Sequence, residues 1–456
     1  MSRLSEVLLD YDPNLKDALS QLSEATTLAL MVMAVWAIMR ILGVRLLEES
    51  LAVRAHLPET WPGCSVCGKK LQSKGFRERK LMTFVGGICW KRRVGRCPNG
   101  CAGAQVVPLD DALGIFPYQQ TGIEIQKMGC LLSIFSPFNT ASQLLKQLTG
   151  ISVAPGTVWT WVQKVGQQVM GKLSDDLDKL AQGILPEDEF MSDDLKSLPL
   201  VIGGDGVMVP FRPNPGSPAG KVVWREVKVA ILARLNERVT KHKKQVVQLS
   251  QRRLVAVLGT IDALAPRLTV ESARQQIASA VKSAWISDGG VGYWTVFHRC
   301  LKSLGVTPIL DFYHAAQNLN KGLAAWLGEQ TDECRQWFST LRHRLRHGNE
   351  KWVLTELEKL LESKALSESA RHALSNLYQY LETHKDHIHY DQFKKDGLPI
   401  GSGLVESACK WLVQQRFKGV GMRWSEPGFN NVLHLRLAWV NQRFDQFFPV
   451  PALSPK

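Results

Sequence analysis

The sequence predicts an α/β core built on a mixed β-sheet and containing an all-α insertion. A helical N-terminal region and a small cysteine-containing β-module precede this core. Three observations lead to the prediction: β-like runs that first follow one another and then alternate with helical stretches, a long helical stretch without strands, and two close cysteine pairs around a basic segment. With 456 residues, 45% of them hydrophobic, the chain is long enough for about two to four domains.

The chain is strongly basic, with a formal net charge of +14. Such a charge favours a polyanionic partner, and nucleic acid is the commonest one. The longest apolar run, residues 28–39, is shorter than the roughly 20 residues of a spanning helix, and no signal-peptide pattern opens the sequence. We therefore expect no membrane partner. Nine cysteines without a signal peptide favour a reducing compartment, so we expect a cytoplasmic, nucleoid-associated protein.

Residues 1–60 are predicted to form a helical N-terminal region, because apolar residues recur at spacings of three and four. A small helical bundle would give this pattern. A dimerisation element, or an element that binds a DNA end, would give it too. The apolar run at residues 28–39 is predicted to be a buried or self-associating helix.

Residues 61–108 are predicted to form a zinc-ribbon-like, DNA-binding module. Cys64 and Cys67 form a C-x2-C pair, and Cys97 and Cys101 form a C-x3-C pair. Two such pairs on tight turns can place four sulfurs around one structural Zn²⁺, with Zn–S distances of about 2.3 Å. Two β-like stretches, 80–90 and 91–97, lie between the pairs. Their many lysines and arginines make the ribbon a candidate surface for DNA phosphates.

Residues 109–190 are predicted to be a helical, helix-turn-helix-like region followed by a linker. One helix ends near Thr149 and Gly150, and the next begins at Pro155. This spacing fits a helix-turn-helix motif and fits a plain helical hairpin equally well. The acidic, proline-containing segment at residues 185–199 is interpreted as a linker.

Residues 195–323 and 399–445 are predicted to form the α/β core, and residues 324–398 the all-α insertion. Three consecutive apolar runs, at residues 199–211, 223–235 and 252–260, predict an antiparallel meander. Two further runs, at residues 284–290 and 306–314, alternate with helices and predict strands added in parallel.

Three carboxylates stand out from their surroundings. Asp205 lies in "GGDGVMV", Asp288 in "ISDGG" and Glu406 in "GSGLVESACK". Carboxylates are rare in apolar strands unless they are paired or bind a metal. Brought together, the three would hold two divalent ions, Mg²⁺ or Mn²⁺, about 4 Å apart and support phosphodiester cleavage. Taken singly, each aspartate also fits a glycine-rich turn, and the glutamate an exposed helix position.

This pattern resembles the ribonuclease-H-like core of DDE transposases, and more closely the ISKra group of bacterial insertion-sequence transposases. The resemblance is carried by "GDGVMVP", "REVKV", "SDGG", "LDFYHAAQNL" and "GSGLVESACKWLVQQRFKGVGMRWS". It covers residues 195–445 and the cysteine-containing module. It implies that Asp205 and Asp288 are the first two catalytic acids and Glu406 the third, and that the helical segment before the glutamate is the family's insertion.

The resemblance also implies roles for residues around these acids. Asp311 and His314 match a D-x2-H motif that supports the site by orienting the scissile strand or by hydrogen bonding to a carboxylate. A buried core histidine is the alternative for His314, and Asp311 is the alternative to Asp288 as second metal ligand. Basic residues after the glutamate are expected to contact DNA phosphates, unless they only form a solvated helix face: Lys410, Arg416, Lys418 and Arg423.

The function implied by this resemblance is transposition. The chain is expected to bind the terminal inverted repeats of an insertion sequence, cleave DNA at these ends and transfer the freed strands to target DNA. It is expected to act as a homodimer or higher oligomer, by analogy alone. Two alternatives remain on the same fold: a DNA-binding regulator without chemistry, and a structure-selective nuclease.

Overall fold

The computed structural model describes residues 13–101, 105–213, 221–239 and 245–448. They fall into two compact units, one extending to Trp161 and the other running from Val162 to Phe447. The finer five-part division made from the sequence stays a prediction.

The first unit begins with two helices, α1 (Pro13–Glu24) and α2 (Leu28–Arg54). Thr27 caps α2, since its hydroxyl accepts a hydrogen bond from the Leu30 amide at 3.3 Å. In length and composition α2 could cross a membrane, yet only 6% of its most apolar stretch is buried. The prediction of a buried helix is therefore wrong for most of α2, and self-association stays a prediction.

A three-stranded antiparallel ribbon follows, with strands β1 (Gln72–Thr83), β2 (Gly86–Arg96) and β3 (Gln105–Val106). The prediction of strands at 80–90 and 91–97 is wrong about the turn, which lies at residues 84–85. Gly86 has φ +141°, a conformation that is costly for other residues, and this fixes the turn inside the first predicted strand. Leu81, Ile88 and Trp90 pack with Leu51 of α2.

Helices α3 (Pro108–Ala112), α4 (Ile123–Phe135), α5 (Phe138–Thr149) and α6 (Pro155–Ala181) come next. As predicted, α5 ends at Thr149 and α6 begins at Pro155. Gly150 ends α5 in the left-handed conformation, with φ +72°. Whether these two helices contact DNA stays a prediction.

The second unit contains a mixed five-stranded sheet. Its strands are β4 (Leu200–Phe211), β5 (Val223–Val239), β6 (Gln245–Leu258), β7 (Ser283–Ser287) and β8 (Thr307–Leu310). Their order in the sheet is β6-β5-β4-β7-β8. β4, β5 and β6 form the predicted antiparallel meander, while β7 and β8 are added in parallel to β4, also as predicted. The mixed α/β architecture is thus confirmed.

Helices connect and surround these strands: α7 (Asp193–Lys196), α8 (Ile261–Arg274), α9 (Val291–Cys300), α10 (Phe312–Leu327), α11 (Asp332–Arg346), α12 (Glu350–Glu362), α13 (Glu368–Thr383), α14 (Tyr390–Lys395), α15 (Gly403–Ala408), a π-helix (Cys409–Gln414), α16 (Gln415–Phe417) and α17 (Glu426–Val440). Single 3-10 turns lie at Ile277–Ser279, Lys302–Leu304, Lys385–His387 and Asp445–Phe447.

The helices between α10 and α15 share one hydrophobic core with the sheet. Trp285 and Ile309 of the strands belong to the same buried cluster as Leu341 and Leu374 of the helices. Close packing anchors this segment, because a Cβ added at Gly322 of α10 would come within 2.8 Å of α13. Since α10 begins directly after β8, the helical segment is held against the end of the sheet that carries the candidate site.

The acidic segment at residues 185–199 is more than the predicted linker. Glu189 accepts a hydrogen bond at 2.8 Å from Arg253, whose side chain is 2% exposed. Arg443 and Gln275 also bind this carboxylate. Because a buried arginine needs a counter-charge, Glu189 ties the segment to β6.

Candidate active site

Two of the predicted acids lie opposite each other on neighbouring parallel strands. In the register of β4 and β7, Gly203 faces Ile286. Continuing this register by two residues sets Asp205 opposite Asp288, which follows the last residue of β7. Adjacent strands lie about 4.8 Å apart, so the two aspartates are neighbours at the carboxyl end of the parallel strands. Ligands bind at this end of open α/β sheets.

The same register extends to Asp311. Ser287 of β7 faces Leu310 of β8, so the next residues, Asp288 and Asp311, are opposite each other. Three aspartates therefore form one row across β4, β7 and β8. The sequence alone did not predict this row, because it follows from strand register.

Glu406 comes to this row on the short helix α15. Gly203 and Asp205 project from the same face of β4, because side chains two residues apart in a strand share a face. A Cβ added at Gly203 would lie 3.2 Å from the Cβ of Val405 and 3.4 Å from Leu404. Helix α15 therefore packs against the face from which Asp205 projects, and Glu406 itself is exposed.

The glycines around Asp205 make room for protein side chains. A Cβ at Gly204 would lie 2.7 Å from both Trp285 and Tyr293, and one at Gly206 would clash with Glu226. The strand that carries Asp205 is thus packed closely on both faces.

The carboxylates influence one another electrostatically. Burial raises the pKa of Asp205, and the negative charges of Asp288 and Glu406 raise it further, against a hydrogen bond from the Gly206 amide. That amide lies 2.6 Å from Oδ1 of Asp205. A cation bound between the carboxylates would relieve this repulsion, so the group fits the hard, oxygen-coordinated ions Mg²⁺ and Mn²⁺.

Asp311 differs from the other acids in its hydrogen bonding. Its side chain is 1% exposed, and Oδ1 accepts a hydrogen bond from the His314 amide at 2.8 Å as the N-cap of α10. Oδ2 accepts one from the amide of Ser402. Burial alone would raise the pKa of Asp311, but the hydrogen bonds from His314 and Ser402 lower it to about 2. Both oxygens of this carboxylate are engaged by the protein.

His314 and Glu406 lie next to Asp311. Nδ1 of His314 lies 3.4 Å from Oδ1 of Asp311, and its proximity raises the pKa of the imidazole. One possible ligand atom from each of Asp311, His314 and Glu406 lies within 4.8 Å of the others, so this group could also hold a metal ion. Ser402, whose Oγ lies 3.4 Å from Glu406, was not predicted from sequence, although it precedes the helix of the glutamate as a cap residue would.

A π-helix follows α15 directly, from Cys409 to Gln414. Such helices are rare and frequently lie at functional sites. Its first residue, Cys409, is buried, and burial together with the charge of Asp205 and a hydrogen bond to it raises the pKa of the thiol. Sequence patterns did not indicate either feature.

The basic residues after Glu406 divide into two kinds. Lys410, Lys418 and Arg423 are exposed, as a phosphate contact requires. Arg416 is only 2% exposed, and its guanidinium lies 5.1 Å from the ring of Trp424. Burial, with the nearby charge of Arg436, lowers the pKa of Arg416 to about 10. The DNA contact predicted for Arg416 is therefore wrong, because a buried guanidinium presents no surface to a phosphate.

The predicted cysteine cluster is present in the first unit. Sulfur atoms of Cys64, Cys67, Cys97 and Cys101 all lie within 4.8 Å of one another. Cys67 and Cys97 are 3.5 Å apart, and Cys97 and Cys101 are 3.7 Å apart. Zn–S bonds of about 2.3 Å give S···S distances of about 3.8 Å in a tetrahedron. The cluster could thus hold a metal ion, and its soft sulfur donors fit zinc.

Tight turns position these sulfurs. In the first pair, the Gly68 amide donates to the carbonyl of Cys64 at 2.9 Å, and in the second the Gly100 amide donates to that of Cys97 at 3.1 Å. Both glycines adopt positive φ, at +70° and +66°. Gly68 follows the C-x2-C pair and Gly100 lies inside the C-x3-C pair, so two close cysteine pairs with a glycine at the turn make this cluster visible in the sequence.

No protein-family model matches the chain, and no curated protein does. Among solved structures, the chain is similar to the Drosophila P element transposase strand transfer complex, with 11% sequence identity and a TM-score of 0.32. The match covers 75% of this chain and 96% of that one. A similarity at this level assigns no residue and no activity to the chain.

Proposed function

We propose that the chain is a DDE transposase of the ISKra group, with a ribonuclease-H-like core that cleaves DNA at insertion-sequence ends and joins these ends to target DNA. The observation that carries the proposal is the shared position of Asp205 and Asp288, with Glu406 on a helix packed against the same face of the sheet. Two strand carboxylates and one helix carboxylate on the same face of the sheet suit metal-dependent phosphoryl transfer. The ligand atoms that lie within 4.8 Å of one another are those of Asp311, His314 and Glu406, so bound cations would have to draw Asp205 and Asp288 toward Glu406.

The order of elements also supports this proposal. The first acid lies on the central strand, the second follows the fourth strand in sequence, and helices α11 to α14 lie between the second acid and the glutamate. This is the arrangement that the resemblance to DDE transposases implies. The hydrogen bonding of Asp311 favours Asp288 as the second acid, because Asp311 holds two backbone amides with its two oxygens.

Asp205, Asp288 and Glu406 would hold the divalent ions, Mg²⁺ or Mn²⁺. When bound, these ions lower the pKa of the attacking hydroxyl and stabilise the charge that develops at phosphorus. Asp311 and Ser402 are positioning residues in this proposal. They fix the loop that precedes α15, and with it the direction from which Glu406 reaches the row of aspartates.

Two in-line displacements at phosphorus make up the reaction. In the first, a water oxygen forms a bond to phosphorus and the 3′-oxygen of the element end leaves as a free hydroxyl. In the second, this 3′-hydroxyl forms a bond to a phosphorus of target DNA, whose own 3′-oxygen leaves. Lys410, Lys418 and Arg423 are exposed after Glu406 and would neutralise phosphates of the bound strand.

The cysteine module would bind the terminal inverted repeats. Zn²⁺ held by Cys64, Cys67, Cys97 and Cys101 would fix the end of a ribbon whose first strand is mostly exposed and rich in base. Cys67→Ser is expected to remove the bound zinc, from one equivalent to none by elemental analysis, and to weaken binding of the element end. Cys130→Ser, at a buried cysteine outside the cluster, is the control and should leave both unchanged.

Strand cleavage tests the catalytic proposal. The substrate is a DNA fragment that carries the element's own end and flanking DNA, with Mg²⁺ or Mn²⁺ supplied. Asp205→Asn, Asp288→Asn and Glu406→Gln are each expected to abolish cleavage while DNA binding is retained. Asp262→Asn, at an exposed carboxylate on α8, is the matched control and should cleave normally.

Cleavage that survives in Asp205→Asn or Glu406→Gln would refute the assignment of these acids. If the wild type binds the end tightly but never cuts, the chain is a DNA-binding regulator. If it cuts branched DNA only and joins no strands, it is a structure-selective nuclease.

A further inference from the structure

Helix α2 carries a row of exposed apolar side chains at heptad spacing. Its members follow one another at alternating intervals of four and three residues, and six of them are between 42% and 80% exposed: Leu28, Val32, Val35, Met39, Leu46 and Val53. Half-buried Leu42 continues the row, and Glu49 takes the one polar position. This spacing is that of the a and d positions of a coiled coil.

The opposite face of α2 is held by the chain itself. Ala34 and Leu51 are buried there, and Leu51 packs with the ribbon. The carboxylate of Glu48 accepts a hydrogen bond from the Cys89 amide of β2 at 2.8 Å. Packing on this side fixes the rotation of the helix about its own axis. The heptad row therefore faces away from the ribbon.

Two arginines argue against a membrane-spanning α2. A span from Leu28 to Leu47 would place Arg40 and Arg45 in the hydrocarbon, where a charge is costly. The exposed apolar surface of α2 therefore needs an explanation other than a membrane span.

We propose that α2 pairs with α2 of a second copy of this chain as a two-stranded coiled coil. A stripe with a repeat of 3.5 residues stays in contact along its length only with another helix that winds around it. From Leu28 to Val53 the row spans about 40 Å, close to four heptads. In a dimer with a two-fold axis, the row of one chain packs against the same row of the other. A row that is apolar except at Glu49 can form such an interface.

The pairing is independent of the catalytic proposal, since it concerns only α2. It supplies a surface for the second copy that the resemblance leads us to expect. Cleavage-deficient variants should still pair, and variants that fail to pair retain all the acids of the candidate active site.

Sedimentation equilibrium of the full-length protein tests the pairing. The wild type is expected to be a dimer at low micromolar concentration. Val32→Gln combined with Met39→Gln, both in the row, should weaken the dimer by about 100-fold or more. Leu30→Gln combined with Met33→Gln is the matched control, because these side chains are also exposed, by 53% and 64%, but lie outside the row. The control should dimerise like the wild type, and far-UV circular dichroism should be equal for all three.

Three outcomes would overturn the proposal. One is a wild type that stays monomeric at tens of micromolar. Another is a row variant that dimerises as tightly as the wild type, which would locate the interface elsewhere. The third is an equal effect of both pairs of substitutions together with flotation of the wild type on vesicles of zwitterionic and anionic phospholipid, which would identify α2 as a membrane-binding helix.

Discussion

Replacing Asp311 by asparagine separates the positioning of the site from the binding of a metal. Both oxygens of the Asp311 carboxylate accept hydrogen bonds from backbone amides, those of His314 and Ser402. Asparagine has the same shape but only one oxygen, so one buried amide would face an NH₂ group instead of an acceptor. The substitution is expected to loosen either the start of α10 or the loop that precedes α15.

The expected loss of stability follows from these contacts. A hydrogen bond to a charged group contributes about 1.5–3 kcal/mol, and a buried amide left without an acceptor costs a similar amount. Because the side chain of Asp311 is 1% exposed, water cannot replace the lost acceptor. We expect the free energy of unfolding of the second unit to fall by about 2–3 kcal/mol. For a unit of this size that corresponds to a decrease in Tm of about 4–12 °C.

Thermal unfolding followed by tryptophan fluorescence, with a chelator present, measures this change. Asp288→Asn is the matched control, since it exchanges the same atoms in a neighbouring carboxylate. Asp288 repels Asp205, so its neutralisation should leave Tm unchanged or raise it. If Asp288→Asn lowers Tm by this amount and Asp311→Asn does not, the reasoning is refuted and Asp311 becomes the better candidate for the second metal ligand.

Three further predictions concern other parts of the second unit. Gly203→Ala brings a Cβ to 3.2 Å from Val405 in the helix of Glu406, so the free energy of unfolding should fall by about 1–3 kcal/mol and the cleavage rate at least tenfold. At Gly403, where an added Cβ meets nothing within 4 Å, alanine should change neither quantity. Burial raises the pKa of Glu189 but ion pairs with two arginines lower it overall, so denaturant unfolding at neutral pH should show Glu189→Gln less stable than wild type. This difference should shrink as the pH falls below 4.5, the ordinary pKa of a glutamate. Arg416→Ala should lower the free energy of unfolding by about 2–4 kcal/mol, because its side chain is buried. Lys410→Ala should leave the free energy of unfolding unchanged and reduce the salt dependence of DNA binding by about one phosphate contact. The reverse pattern would contradict the structural role of Arg416 and the DNA contact of Lys410.

Strand pattern and cysteine spacing made much of the fold predictable from the sequence. Parallel strands buried on both faces appear as apolar runs, and an aspartate inside such a run is conspicuous, as Asp205 is. The cysteine cluster was visible because the sequence contains two close cysteine pairs, each with a glycine at its turn. Both patterns are local, so they need no knowledge of distant contacts.

What the sequence did not indicate depends on partners far along the chain. Asp311 and Ser402 are separated by 91 residues, and their hydrogen bond is what distinguishes Asp311 from the other acids. Arg416 has the same sequence appearance as Lys410, and only packing against Trp424 reveals that it is buried. Glu189 likewise appeared to be part of a solvated linker until its partner on β6 was known.

The glycines around Asp205 connect the fold to the proposed chemistry. A side chain at Gly203 would displace the helix of Glu406, and one at Gly204 would displace Tyr293. The absence of a side chain at Gly203 lets the helix of Glu406 approach the face that carries Asp205, at a site buried enough to raise the pKa of Asp205. Repulsion among the three acids works against the folded protein, and the hydrogen bond from the Gly206 amide and the charge of His314 offset it only in part at Asp205. Other contacts must therefore offset this repulsion for the fold to be stable. The two backbone amides that donate hydrogen bonds to Asp311 are such contacts, and they lie at the same end of the sheet.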